Sequence, residues 1–249
     1  MLYLLNSKGI EGRELIASVF EWDVVNWSQA LRLWEPAMRA VRSGLHPQAI
    51  EIGSRRGGLA LFAAVQGFNV LCTDLEDPRE SAKPLHEKYQ VTDLVNYGTV
   101  DVTDVKGSSL DQKFDLVLVK SVLGGAGRNG RDDLQMQAVQ NMAAMLKPGG
   151  AILFAENLAG SAVHRFFRKR FTNWGGYWNY PSIERLSSMF EAAGLMLEFR
   201  TGGFLGAFGR TEKQRRFLGK IDRALIQRIT PHSWHYIYFG VARKPDTTS

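Results

Sequence analysis

Covalent cross-links, bilayer spans and thiolate metal cages are what this sequence lacks the material to build. Its 249 residues include one cysteine, Cys72, so an internal disulfide and an all-cysteine metal site are excluded. A single thiol fits a reducing compartment. No apolar run approaches the ~18 residues that cross a membrane. The opening stretch MLYLLNSKGIEGRE has only Leu2 to Leu5 as an apolar run and lacks the basic leader and apolar core of a signal peptide, so a soluble, cytoplasmic protein is expected. Charge of one sign does not dominate either: 31 Lys+Arg against 25 Asp+Glu leave +6. That excess leaves open an anionic partner or an ordinary solvated surface. With 45% hydrophobic and 22% charged residues, disorder is excluded. The length allows one large domain or a domain with an elaborated end.

Two regions are distinguishable. In residues 1–45, Trp27, Leu31, Trp34, Met38 and Val41 recur at helical steps, with Pro36 predicting a kink or two shorter helices. The aromatics Trp22, Trp27 and Trp34 suit either packing or a lid over a ligand. From residue 46 onward, short apolar runs (49–52, 69–74, 94–102, 114–120, 151–157, 196–202 and 235–244) alternate with helical stretches (59–66, 79–89, 134–146 and 182–193). This alternation predicts an α/β, doubly wound, mostly parallel sheet with helices on both faces. The basic stretch 203–234 interrupts the pattern. Phe217, Ile221, Leu225 and Ile229, spaced at four, predict an amphipathic helix packed on the sheet, with an anionic membrane surface as the other reading.

Several runs end in chemistry. AIEIGSRRGG (49–58) is a strand, an acid and a glycine turn that opens a helix. This can cradle a ligand, with Glu51 accepting from an amine, or be a tight turn only. CTDLE (72–76) puts Asp74 at the neighbouring strand tip, where a carboxylate accepts from both hydroxyls of a ribose. In VDVTD (100–104), Asp101 suits either an adenine amino group or a turn. FDLVLVKSVLGGAG (114–127) is a strand with a glycine-rich loop, and LKPGGAILFAEN (146–157) a helix stop followed by a strand. A dinucleotide fingerprint G-x-G-x-x-G is incomplete, since its middle glycine position is Arg55.

The order of these five motifs resembles the class I S-adenosylmethionine (SAM) dependent methyltransferases over about residues 45–200. The resemblance implies a Rossmann-like seven-stranded sheet whose last strand runs antiparallel, with 196–202 and 235–244 as the final pair and 203–234 inserted between them. It implies SAM as cofactor, held by Glu51, Gly53, Ser54, Arg55, Asp74, Leu75, Asp101, Val102 and Lys120. The sequence departs from the family's E-x-G-x-G-x-G at position 55, where an arginine either reaches over the SAM carboxylate or points to solvent. The variant turn is also similar to methyltransferases encoded with bacterial surface-polysaccharide genes, which implies O-methylation of an acidic sugar or glycan and contact with glycan assembly at the inner membrane.

The segment after the fifth run (155–182) fits such an acceptor. Trp174, Tyr177 and Trp178 suit stacking on a ring, and Arg165 and Arg168 suit holding a carboxylate or phosphate. His164 is the first candidate for general base, by its ordinary pKa near ~6.5, against the reading of a surface histidine; His232, His235 and Glu156 come next. No carboxylate set has metal-ligand spacing, so no metal is expected. Nucleic acid is disfavoured: the charge is mild, and the Asn/Asp-Pro-Pro-Tyr/Phe motif of amino-directed base methyltransferases is absent where KSVLGG stands. RNA and phenol-like small molecules remain the alternative acceptors, with a non-enzymatic SAM or nucleotide module behind them.

Overall fold

A computed structural model describes residues 10–41, 46–105, 109–171 and 177–246 of the chain. Three helices come first: α1 (Ile10–Phe20), α2 (Val24–Trp27) and α3 (Leu31–Val41). Strands and helices then alternate: β1 (Gln48–Ile52), α4 (Gly58–Ala64), β2 (Asn69–Asp74), α5 (Arg79–Lys88), β3 (Val95–Thr99), β4 (Phe114–Lys120), α6 (Leu123–Ala126), α7 (Asp132–Met145) and β5 (Leu146–Asn157). The chain ends with α8 (Ala162–Phe171), α9 (Ile183–Ala192), β6 (Met196–Gly202), α10 (Glu212–Ile221) and β7 (Ile237–Arg243).

The seven strands lie in the order β3-β2-β1-β4-β5-β7-β6. All neighbours are parallel except β7, which pairs antiparallel with β5 and β6. The order reverses between β1 and β4, and a crevice opens at the carboxyl ends of strands around that point.

Alternation along the strands supplies two cores. On β4, Leu116 and Leu118 face one core, built with Trp34, Met38 and Phe62 of α3 and α4. Val117 and Val119 face the other, built with Val139 and Met142 of α7 and Phe190 of α9. The N-terminal stripe Trp27, Leu31, Trp34, Met38 and Val41 is buried. The indole of Trp34 donates to the carbonyl of Gly240 on β7 at 3.0 Å, so α3 belongs to the sheet packing and only the part before it is available as a lid. The break expected at Pro36 lies upstream, at a 3-10 turn over Ser28–Ala30, and Pro36 stands inside α3.

The expected sheet-packed stripe at 217–229 is corrected. Phe217, Leu225 and Ile229 are exposed, while Gly219 and Asp222 are buried. The cause is local. A π-helical turn at Asp222–Ile226 interrupts the 3.6-residue period, and the anchor is the carboxylate of Asp222. It accepts from the backbone N–H groups of Phe204, Leu205 and Gly206 and from the side chain of Asn26.

Candidate active site

The turn after β1 is built by close approach. A Cβ on Gly58 would lie 2.4 Å from the carbonyl oxygen of Val19, so glycine lets α1 pack directly on the start of α4. Arg55, where the family pattern has glycine, adopts that glycine's conformation at φ +53. Its N–H donates to Asp74 at 2.7 Å. Its guanidinium leaves the turn toward the N-terminal segment, 3.7 Å from Glu21 and over the ring of Trp22. Neither reading of Arg55 from sequence anticipated this partner.

Glu51 lies under the turn and caps α4, accepting from Leu59 N–H at 3.0 Å and Ala60 N–H at 2.8 Å. Burial raises its carboxyl to about 8, against the pull of those N–H groups and Lys120. Asp74, at the tip of β2, also accepts from the N–H of Leu75. Leu75 is an apolar residue left 61% exposed beside that carboxylate. An apolar platform next to a carboxylate fits a nucleoside, ring on one and ribose hydroxyls on the other. On the next strand tip Asp101 is exposed and closes a turn onto Thr103. Val102 is buried, and its carbonyl accepts from Asn141.

A cleft of about 730 Å³ opens beside the turn. Glu51, Gly53, Ser54, Arg55 and Lys120 line it, together with Arg168 and Trp178 from the far side. Its wall also includes Trp22, Asp23, Trp27, Arg56, Tyr180, Arg215 and Tyr236. Sequence reasoning gave Arg56, Arg215 and Tyr236 no role, because they converge from opposite ends of the chain. The lid reading of Trp22 and Trp27 was the available signal.

Buried polar contacts join those ends. Asn26 donates to Asp23, Asp222 and the hydroxyl of Tyr236, and that hydroxyl donates to Asp23 in turn. Glu212 accepts from the N–H groups of Asp23 and Val24. Burial pushes the carboxyl of Asp23 up to about 7. The α1–α2 segment and the insertion therefore form one cap over the cleft.

Lys120 is the strongest polar feature inside. Its Nζ donates to the carbonyl of Phe20 at 2.9 Å and sits 3.1 Å from the ring centre of Trp22. Burial pushes its amine down to about 7, although Glu21 and Glu51 favour the ammonium. Next to it Ser121 takes φ +58, an uncommon conformation for a non-glycine residue that clusters at functional sites. Its hydroxyl accepts from Asn157 at 2.7 Å. The glycine-rich loop after β4 is explained by Trp178, whose indole occupies the space a Cβ on Gly124 would need. The indole Nε1 is buried and has no partner among the described residues.

The structure places His164 away from the cleft. It is buried, with Nδ1 on the hydroxyl of Ser161 at 2.8 Å, Nε2 on the carbonyl of Phe204 at 2.9 Å and its ring stacked on Phe208. With both ring nitrogens engaged and burial lowering its pKa, His164 anchors α8 to the insertion instead of meeting an acceptor. Arg165 is exposed and donates to Gly160, and Tyr177 is exposed; neither lines the cleft. Trp174 lies outside the described residues. Arg168 donates to the carbonyls of Leu158 and Ala159 and lies over the ring of Tyr180. His232 and His235 line a separate cavity of about 650 Å³ with Thr201. Burial and His232 push His235 down to about 4. Glu156 is buried and accepts from the N–H groups of Val122 and Leu123. Among the described residues no His, Cys, Asp and Glu group could hold a metal ion.

Residues 50–154, from β1 into β5, match a family model described as a methyltransferase domain. No functionally curated protein matches the chain. Among solved structures it is similar to the [4+2]-cyclase SpnF, at 17% identity and TM-score 0.59 over 88% of this chain and 83% of that one. It is also similar to a phosphoethanolamine N-methyltransferase of Haemonchus contortus solved with S-adenosylhomocysteine. There the identity is 18% and the TM-score 0.58, over 88% of this chain and 53% of that one. A third is a protein of Galdieria sulphuraria described as a sarcosine dimethylglycine methyltransferase, at 13% identity and TM-score 0.60 over 86% and 83%. These likenesses establish the fold, and the domain match covers the strands that carry the glycine turn and the acids at the tips of β1 and β2. Residues 50–154 thus carry a methyltransferase domain, on a fold that the chain shares with SAM-dependent methyltransferases.

Proposed function

We propose that this enzyme methylates a hydroxyl oxygen on an acidic, ring-bearing acceptor, an acidic sugar or a glycan that carries one. The observation that carries the reading is Lys120, an amine in the cleft whose burial holds it near pH 7. A hydroxyl nucleophile must lose a proton, and a base poised near neutrality is suited to take it. The neutral amine keeps a hydrogen for the Phe20 carbonyl while its lone pair accepts the proton. Bound SAM supplies an electrophilic methyl on a sulfonium.

The rest of the wall supports an acidic ring. Arg168 and Arg215 bring guanidinium groups, and Trp178 and Tyr180 bring aromatic faces, which suit a carboxylate or phosphate and a sugar ring respectively. The indole N–H of Trp178, without a partner among the described residues, can donate to an oxygen of the acceptor. We place the reaction in the cytoplasm, where the lone thiol of Cys72 stays reduced.

A labelled-methyl transfer screen over acidic sugars, oligosaccharides, total RNA and small phenols tests the reading. Label in an acidic glycan is expected. Label entering RNA or a phenol, with none in any glycan, overturns it.

A further inference from the structure

Helix α8 is built inside out. Its sequence AVHRFFRKRF contains no acid, and the side chain it buries is His164. Val163, Phe166, Phe167 and Phe171, at 50%, 63%, 41% and 55% exposure, face solvent. Their spacing of three, one and four residues puts them on one side of the helix, about 100° wide or more. The rings touch one another: Phe166 lies against Phe167, and Phe167 against Phe171. Cations frame this stripe. Arg165, Lys169 and Arg170 are exposed on the same helix, and Arg170 and Arg210 lie over the ring of Phe171. Lys169, Arg170 and Arg210 have no carboxylate partner among the described residues.

The inversion is not a packing accident, because polar contacts hold it. His164 is fixed by Ser161 and Phe204, and Arg168 by the carbonyls of Leu158 and Ala159. A water-facing surface gains nothing from a contiguous aromatic stripe, which marks an interaction site. A surface that is both apolar and uniformly cationic matches the headgroup region of an anionic bilayer: rings enter the acyl boundary and the ammonium and guanidinium groups meet lipid phosphates. The same arrangement recurs in the insertion, where Phe217, Leu225 and Ile229 are exposed among Lys213, Arg216, Lys220 and Arg228.

We propose that α8 is an interfacial helix that docks this enzyme on an anionic membrane surface. The proposal does not depend on the identity of the methyl acceptor. Arg168 on the same helix lines the cleft, so docking would bring the cleft mouth beside the headgroups.

Vesicle sedimentation of the full-length protein tests it, with phosphatidylcholine vesicles and with vesicles containing one-third phosphatidylglycerol. Binding to the anionic vesicles, weakened by salt and at least about tenfold stronger than to the neutral ones, is expected. The exposed double substitution Phe166→Ser/Phe171→Ser should lower the partition coefficient by on the order of tenfold or more. Lys169→Glu/Arg170→Glu should lower it by about fivefold per cation removed. Circular dichroism and SAM affinity should stay unchanged in both variants. Equal partition of variants and parent, or no binding to either vesicle, overturns the proposal. So does a parent dimer, seen by sedimentation velocity, that the phenylalanine variant dissociates while neither protein binds vesicles; that outcome assigns the stripe to a second copy of the chain.

Discussion

The sheet half of this enzyme and its cap follow opposite rules. Between β1 and β5, apolar side chains point inward at the helical and strand periods, and polar groups end the strands. In α8 and the insertion, the buried anchors are His164 and Asp222, and the phenylalanines and leucine face out. Burial of apolar area is non-directional, so it sets which face turns in. A buried carboxylate or imidazole demands particular donors and fixes one geometry. The sheet half is therefore specified by pattern and the cap by individual hydrogen bonds.

Substitutions can break this comparison, beginning with the largest effect. Lys120→Met should lower turnover at saturating SAM by about 10²–10⁴-fold, beyond any change in SAM affinity. Because the neutral amine is the active form, parent turnover should rise with pH through about 7. A flat profile, or near-parental turnover in the variant, would place the base elsewhere. Asp222→Ala leaves three backbone N–H groups unpaired and should cost roughly 3–5 kcal/mol by denaturant unfolding. A loss below ~1 kcal/mol would mean the cap does not depend on its polar anchor.

In the sheet half, Asp74→Ala should weaken SAM binding by about 1–3 kcal/mol, read by calorimetry against NAD as the control nucleotide. Glu156 tests the buried carboxylates. Burial raises it to about 7, so the folded state holds its proton more tightly than the unfolded state. Its favourable contribution is complete below its ordinary range near ~4.5 and disappears as pH rises through about 7. Glu156→Gln should remove that dependence, by on the order of 1–2 kcal/mol between pH 5 and pH 8. Denaturation curves that fall in parallel for both proteins would contradict this. The smallest effect expected is at Arg55, whose positive φ costs a non-glycine residue about 1 kcal/mol. Arg55→Gly should raise Tm by a few degrees at most, and a fall would mean that the contacts with Glu21 and Trp22 outweigh the strain.

The strand runs, the antiparallel final pair and the acids at the tips of β1 and β2 were legible in the sequence. Period-two and period-3.6 patterns and turn chemistry are local properties, so Glu51, Gly53 and Asp74 stand where the order of motifs implied. Other features depended on groups far apart in the chain. Nothing near residue 164 announces that a carbonyl 40 residues later will engage its imidazole, and the four-residue spacing of 217–229 does not reveal a π turn. The lowered pKa of Lys120 comes first from burial, to which Phe20 and Trp22 contribute by closing over it. Sequence by itself determined which face of the sheet each strand residue takes and where the glycine turn and the strand-end acids stand, since those follow from periodicity and from glycine and carboxylate placed at strand ends. Tertiary structure alone decided which amine is buried in the cleft, which histidine is held as an anchor and which aromatics remain outside, because desolvation and buried hydrogen bonding arise from neighbours that the chain brings together only on folding.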